Sequence, residues 1–241
     1  MIRTLTRSLY VFLFLIVFNV QASPPIGAIV QTWHYDPVTK QLSIHVVNVS
    51  NKDITGYNLS ITVKYANGTS IFSEMTEDFL PLMASVNSEE LHRQYGNGTF
   101  AAGTSRDQVV PQTLDVRDVS AIVDVVAYAD TADVENGRAF SHLIATRKGM
   151  LLATQQANEV LKEALALPNP NAAAAKELTR LADVSKGRSG SLNDPESHME
   201  FALRGLASRA QTSDLTQLLK EGESRIVFYA PHTQLVKGGQ Q

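Results

Sequence analysis

The 241-residue chain contains no cysteine. That excludes disulfide staples, thiolate nucleophiles and cysteine metal ligands, and it leaves packing alone to hold the fold. It also excludes lipid attachment to a processed N-terminal cysteine. No stretch beyond the first 22 residues approaches the roughly 20 apolar residues of a membrane-spanning helix. Excess positive charge is missing too: the formal charge is −3. A mildly acidic chain has no electrostatic reason to bind nucleic acid, and the small cluster Lys186-Gly187-Arg188 does not reverse that.

Catalytic signatures are likewise missing. There are six histidines, yet no HExxH and no pair spaced three to five apart as helical zinc ligands are. Gly187-Arg188-Ser189-Gly190-Ser191 comes near a nucleophile elbow, but its second glycine stands one position early and no strand precedes it. No glycine-rich phosphate loop occurs. The reading therefore assigns no catalytic residue and no cofactor.

What is present begins with an export signal. Arg3 and Arg7 precede the apolar run 9–20 (LYVFLFLIVFNV), and Val20-Gln21-Ala22 offers a cleavage site before Ser23. Twelve helical residues reach about 18 Å, short of the ~30 Å hydrocarbon core, so residues 1–22 read as a cleaved signal peptide. Cleavage removes two positive charges and takes the formal charge from −3 to −5. Together with the absence of cysteine, this predicts a secreted or periplasmic bacterial protein with no membrane span after cleavage.

Residues 42–74 organise the rest. Tyr57, Leu59, Ile61, Val63 and Tyr65 alternate with Asn58, Ser60, Thr62 and Lys64, the period of a strand with one apolar face. Asn67-Gly68 follows, the signal for a type I′ hairpin, and Ser70–Ser73 returns. Residues 26–35 and 42–47 read as two earlier strands joined by the Asp36-Pro37 turn. Phe79-Leu80-Pro81-Leu82-Met83 is a candidate edge strand, and residues 77–112 otherwise read as irregular and mobile. In residues 114–130, Val119, Ala121, Val123, Val125 and Ala127 share one face and Ile122, Val126 and Tyr128 the other. A strand apolar on both faces sits in the middle of the fold, beneath helices. Asn136-Gly137 is a second hairpin candidate, with residues 139–146 as its returning strand.

After Arg147 the period becomes helical. Helices are expected over 150–165, 171–184, from Asp194-Pro195-Glu196 to 210, and over 212–221 closed by Gly222. Residues 185–193 read as a flexible linker, and 225–229 as a possible last strand.

The strand half resembles a known module. Val47-Asn48-Val49-Ser50-Asn51-Lys52-Asp53-Ile54, then Leu59-Ser60-Ile61-Thr62-Val63-Lys64-Tyr65-Ala66-Asn67-Gly68, is similar to the FxLYD-type immunoglobulin-like modules of bacterial envelope proteins. The likeness covers about three strands, and Val63-Lys64-Tyr65-Ala66-Asn67 stands where the family has Phe-x-Leu-Tyr-Asp. It implies an immunoglobulin-like sandwich outside the cytoplasm and carries over no catalytic residue. The expected fold class is thus α+β: an antiparallel immunoglobulin-like β-sandwich over 23–147, a segment of amphipathic helices over 148–222, and a tail over 223–241.

Three sets of side chains are candidates for function. Asp130, Asp133 and Glu135 form a concentrated acidic loop that offers oxygens to Ca²⁺, although the calcium-loop pattern is absent. Trp33, Tyr35, Tyr57 and Tyr65 are candidate binding aromatics, with core packing as the competing explanation. Four Asn-x-Ser/Thr triplets, at Asn48, Asn58, Asn67 and Asn97, are glycosylation acceptors only in a eukaryotic secretory route. The leading functional expectation is a non-enzymatic interaction module of the bacterial envelope or secretome, with a protein or envelope component as partner. The alternatives are an exported hydrolase assembled from separated residues such as His142, Asp130 and a serine, and a carbohydrate-binding module.

Overall fold

In the computed structural model the described residues are 26–80, 99–188, 191 and 193–238. The expected signal peptide, most of the edge strand over 79–83 and the stretch 87–98 lie outside them. The fold class is α+β. Strands β1 (Ala28–Asp36), β2 (Gln41–Asn48) and β5 (Ser105–Pro111) form one sheet in the order β1-β2-β5. Strands β3 (Gly56–Tyr65), β4 (Ser70–Asp78), β6 (Val116–Ala127), β7 (Thr131–Val134) and β8 (Val236–Lys237) form a second, ordered β4-β3-β6-β7-β8. All pairings are antiparallel except β7 with β8. Four helices complete the chain: α1 (Gly137–Ala164), α2 (Pro170–Arg188), α3 (Pro195–Thr212) and α4 (Leu215–His232).

Strand β3 behaves as its alternation predicts. Tyr57, Leu59, Ile61, Val63 and Tyr65 enter the core between the sheets, with Leu42, Ile44 and Val46 from β2. The opposite face is not free. Asn58 and Ser60 are buried as well, because α1 packs on this sheet. The hairpin after β3 differs from a type I′ turn. Tyr65 O accepts from Gly68 N at 3.0 Å, Thr69 O accepts from Tyr65 N at 2.9 Å, and only Gly68 has positive φ, +87°. This is a tight turn followed by a glycine bulge, with Asn67 Oδ1 accepting from Thr69 N.

Strand β6 is central and apolar on both faces, but its faces change partway. Asn58 pairs with Val125 and Leu59 with Val123, so Asp124 is an extra, bulged residue. The period of two therefore slips by one. Val119 and Val123 face the sandwich core together with Val126 and Tyr128. Val125 and Ala127 turn the other way, onto Ala139 and Leu143 of α1. The buried Asp124 accepts a hydrogen bond from Ser60 Oγ.

Further expectations are overturned. Residues 105–111, read as irregular, form β5, whose hydrogen bonds to β2 secure a strand of few apolar residues. Asn136-Gly137 is not a hairpin turn: Asn136 caps α1, its Oδ1 accepting from Arg138 N and Ala139 N. Residues 139–146 are consequently helical, and Ala139, Leu143 and Arg147 recur at the helical period. Gly222 does not close a helix, nor is 225–229 a strand, because α4 runs on to His232. Gly222 is instead a point of close approach, where any Cβ would collide with the Asn158 side chain of α1. By contrast, α3 starts as read, with Asp194 accepting from Glu196 N and Pro195 in the first turn.

The helices pack through alanine-rich stripes: Ala153 and Ala157 of α1, Ala174 and Ala182 of α2, and Ala207 and Ala210 of α3. Sheet and helices meet at Arg147, whose side chain is wholly buried. Its Nη2 donates to Asp78 Oδ1, Thr55 O and Thr55 Oγ1, each at 3.1 Å, and its Nη1 donates to His232 O at 3.5 Å. One guanidinium thus ties α1 to β4, to the loop before β3 and to the end of α4. Among the described residues no helix is long and apolar enough to cross a membrane.

Candidate functional site

A cleft of about 690 Å³ opens at one end of the five-stranded sheet. It is lined by Ser50 and Lys52, by Tyr128, Asp130 and Asp133, and by Lys237 beside Gly238. Three distant parts of the chain build it. The first is the loop after β2, held by the buried Asn48. Asn48 Oδ1 accepts from Ser50 N at 3.0 Å and Ser50 Oγ at 2.7 Å, while its Nδ2 donates to Lys52 O and Phe100 O. The Asn48-x-Ser50 triplet is therefore a structural turn whose amide nitrogen is engaged. Asn58 is buried too and donates to Thr76 Oγ1, whereas Asn97 lies outside the described residues. Asn67 is the exposed triplet among the described residues.

The second part is the β6–β7 turn, closed by Tyr128 N donating to Thr131 O at 2.8 Å. Tyr128 Oη donates to Asp133 Oδ2 at 2.7 Å, and Gly27 N donates to the same oxygen at 3.2 Å. A side chain at position 27 would strike the Tyr128 hydroxyl, so glycine is required for this contact. Burial pushes the Tyr128 phenol above its ordinary range, and the Asp133 carboxylate it bonds adds to that. The third part is β8, where Val236 N donates to Asp130 O and Gly238 N to Ala132 O.

Two cations and two carboxylates therefore share the cleft. Lys52 Nζ stands 5.3 Å from the centre of the Tyr128 ring, and Lys237 Nζ 5.4 Å from that of Phe140. Among the described residues no imidazole lines it. Ser50 Oγ is bound within its own turn, donating to Asn48 Oδ1 or Lys52 O.

The acidic loop does not gather into a metal site. Asp133 is turned to Tyr128 and Gly27, Asp130 bonds Thr131 Oγ1, and Glu135 is exposed. Among the described residues no three acids or histidines are placed to hold a metal ion. The aromatic platform does not form either. Tyr57 packs against Phe79 and Phe100, with ring centres 5.9 and 6.0 Å away, and its hydroxyl accepts from Gln108. Tyr65 is buried and donates to Gln112. Tyr35 is half-buried and donates to Leu114 O, and Trp33 is 37% exposed.

His142 and Asp130 lie apart. His142 lines a separate cavity of about 150 Å³ with Glu74, Arg138, Ser191 and Asn193, its ring centre 5.1 Å from that of His198. Burial lowers the His142 pKa, and neighbouring His198 lowers it further. A third concavity, about 330 Å³, runs between α1 and α4 past Gln155, Glu159 and Glu223.

No known family profile matches the chain, and no curated protein matches it in sequence. A solved structure, a hypothetical protein from Peptoclostridium difficile 630, is matched at 10% identity and a TM-score of 0.27. The match covers 44% of this chain and 84% of that one. A similarity so loose assigns neither fold nor function.

Proposed function

We propose that this chain is a non-enzymatic interaction module that works outside the cytoplasm, and that its end cleft receives a protein or envelope component. The observation that carries this reading is the composition of the cleft. Its rim bears charges of both signs on Lys52, Lys237, Asp130 and Asp133, and among the described residues no histidine stands beside its serine. Loops at the end of a rigid sheet framework are where binding residues concentrate. The strand order supports reading the sandwich as immunoglobulin-like. The set β3-β6-β7 corresponds to C-F-G, with β4 as a fourth strand beside C, and β1-β2-β5 corresponds to A-B-E. The likeness to FxLYD-type modules rests on the residues quoted above and on the leader, which also supports secretion.

Photocrosslinking tests the reading. A photoreactive residue at Thr131, on the cleft, gives a discrete protein adduct in cells, and Lys52→Glu with Lys237→Glu abolishes it. Equal labelling from Thr39, in the β1–β2 turn away from the cleft, would count against the proposal, as would no adduct from Thr131.

A further inference from the structure

Strand β4 lies at the edge of its sheet. Among the described residues it pairs with β3 on one side and with nothing on the other. Exposed strand edges are normally blunted by bulges, prolines, lysines or shortness. The other edges follow that rule. Strand β1 is broken by a register shift between Val30 and Thr32, β5 carries Arg106 and ends at Pro111, and β8 has two residues. Strand β4 has no such device in its first half. Its register with β3 is unbroken from Asp78 to Ser70, and it contains no proline or lysine. Its first half, Ser70-Ile71-Phe72-Ser73, is uncharged, and it exposes 53% of Ile71 on one face and 62% of Phe72 on the other.

The ladder also fixes which backbone groups are free. Thr69 O accepts from Tyr65 N at one end, and Phe79 N donates to Thr55 O at the other. Odd-numbered residues therefore bond β3, and the N–H and C=O of Ser70, Phe72, Glu74 and Thr76 point outward.

We propose that this edge pairs with the same edge of a second copy of the chain, antiparallel about a two-fold axis at Ser73, joining two five-stranded sheets into one. Charge selects a second copy over a basic peptide. The acids of β4 already have compensating groups: Asp78 pairs with Arg147, Glu77 lies in the field of Arg106, and Glu74 borders the cavity with Arg138 and His142. A foreign cation would gain little from them. Self-pairing about Ser73 sets Ile71 against Met75 and Phe72 against Glu74, with no like charges opposed. A centre at Glu74 would face two carboxylates, and odd–even centres would mismatch the free donors and acceptors. Strand pairing alone buries less than a standard interface, so the dimer is weak and concentration-dependent. The proposal does not depend on the end cleft.

The absence of cysteine makes the register testable. Ser73 would face its copy as a non-hydrogen-bonded pair, with Cα atoms about 4.5 Å apart, within disulfide reach. Sedimentation of the mature chain from about 1 µM to about 1 mM, the range of weak interfaces, is expected to show the mass rising from one copy towards two. Ser73→Cys is expected to give an oxidised dimer in high yield, and Phe72→Cys and Thr76→Cys little. Ile71→Lys with Phe72→Lys, both at exposed positions, should retain the circular dichroism of the parent and weaken dimerisation at least about tenfold. A monomer throughout the range overturns the proposal. So does equal crosslinking at all three positions, or a dimer that the lysine pair leaves intact.

Discussion

Replacing Arg147 with methionine is the sharpest test of how the two halves of the molecule are joined. The substitution keeps most of the apolar stem and removes the guanidinium. Thr55 O still accepts from Phe79 N, and Thr55 Oγ1 still has Ala127 O and Tyr128 O as acceptors. The bond to His232 O, at 3.5 Å, is long and contributes little. What remains is the Asp78 carboxylate, 9% exposed, with Leu80 N as its one other donor among the described residues, at 3.2 Å. Breaking a buried pair by removing one partner costs about 3–5 kcal/mol, mainly through the stranded charge. A chain of this size loses about 2–4 °C of melting temperature per kcal/mol, so Arg147→Met is expected to lower Tm by about 6–20 °C.

The double variant Arg147→Met with Asp78→Asn removes the stranded charge and should recover a substantial part of the loss, with a coupling of about 0.5–3 kcal/mol. Two probes make the experiment diagnostic. Trp33 is the only tryptophan and reports on the small sheet, whereas circular dichroism at the helical minimum reports mainly on α1–α4. Because Arg147 binds sheet, loop and two helices together, both transitions should shift by the same amount. A loss below about 1 kcal/mol, the value of a surface ion pair, would refute the reasoning. Separation of the two transitions in the parent chain would refute it equally.

Acidification should destabilise the fold. Burial holds the pKa values of His142 and His232 below the ordinary imidazole value of about 6.5, so the unfolded chain binds those protons first and stability falls as pH drops below that value. Glu77, raised by burial, acts in the opposite sense, so the check is the difference in Tm–pH slope between the parent and His142→Gln with His232→Gln; identical slopes would exclude the histidines as the source. Gly149→Ala should cost more than Gly222→Ala in urea unfolding, because the first Cβ meets the backbone oxygen of Pro195 and the second only the Asn158 side chain; for the latter, overpacking costs about 1–3 kcal/mol. Excess Ca²⁺ and a chelator should give the same Tm, since Asp133 is already bound to Tyr128 and Gly27; a rise of several degrees with Ca²⁺ would restore the acidic loop as a metal site.

The sheet half was legible wherever burial is one-sided. In β2 and β3 the side-chain period of two survives because each strand keeps one face to the inter-sheet core along its whole length. In β6 the same rule fails at Asp124. A bulge leaves no mark on the apolar count, and a buried aspartate is not the residue a pattern search expects there. Strand β5 was missed for a related reason. Ser105, Arg106, Asp107 and Gln108 carry too little apolar surface to announce a strand that is held through the backbone of β2. The misread hairpin at Asn136 shows a real degeneracy: asparagine before glycine suits a turn and a helix cap equally. The decision falls to Leu143 and Arg147, four residues apart on the face that meets the sheet.

The candidate cleft was legible only in fragments, because its walls are assembled by topology rather than by spacing. Asp130 and Asp133 are legible as part of an acidic loop, but the partners of Asp133 are not. The residues that occupy Asp133 are Tyr128, five positions back, and Gly27, more than a hundred positions away. Lys237 arrives last of all. It reaches the cleft because β8 joins β7 in parallel, and that pairing is possible only after α1 and α4 have carried the chain back across the sheet. Arg147 Nη1 reaches His232 O, five residues before Lys237; this long contact adds little to stability but places the end of that return path beside the buried guanidinium. Cleft geometry and helix docking are therefore expected to be coupled. Arg147→Met should reduce crosslinking from Thr131 even at temperatures where the sheets remain folded.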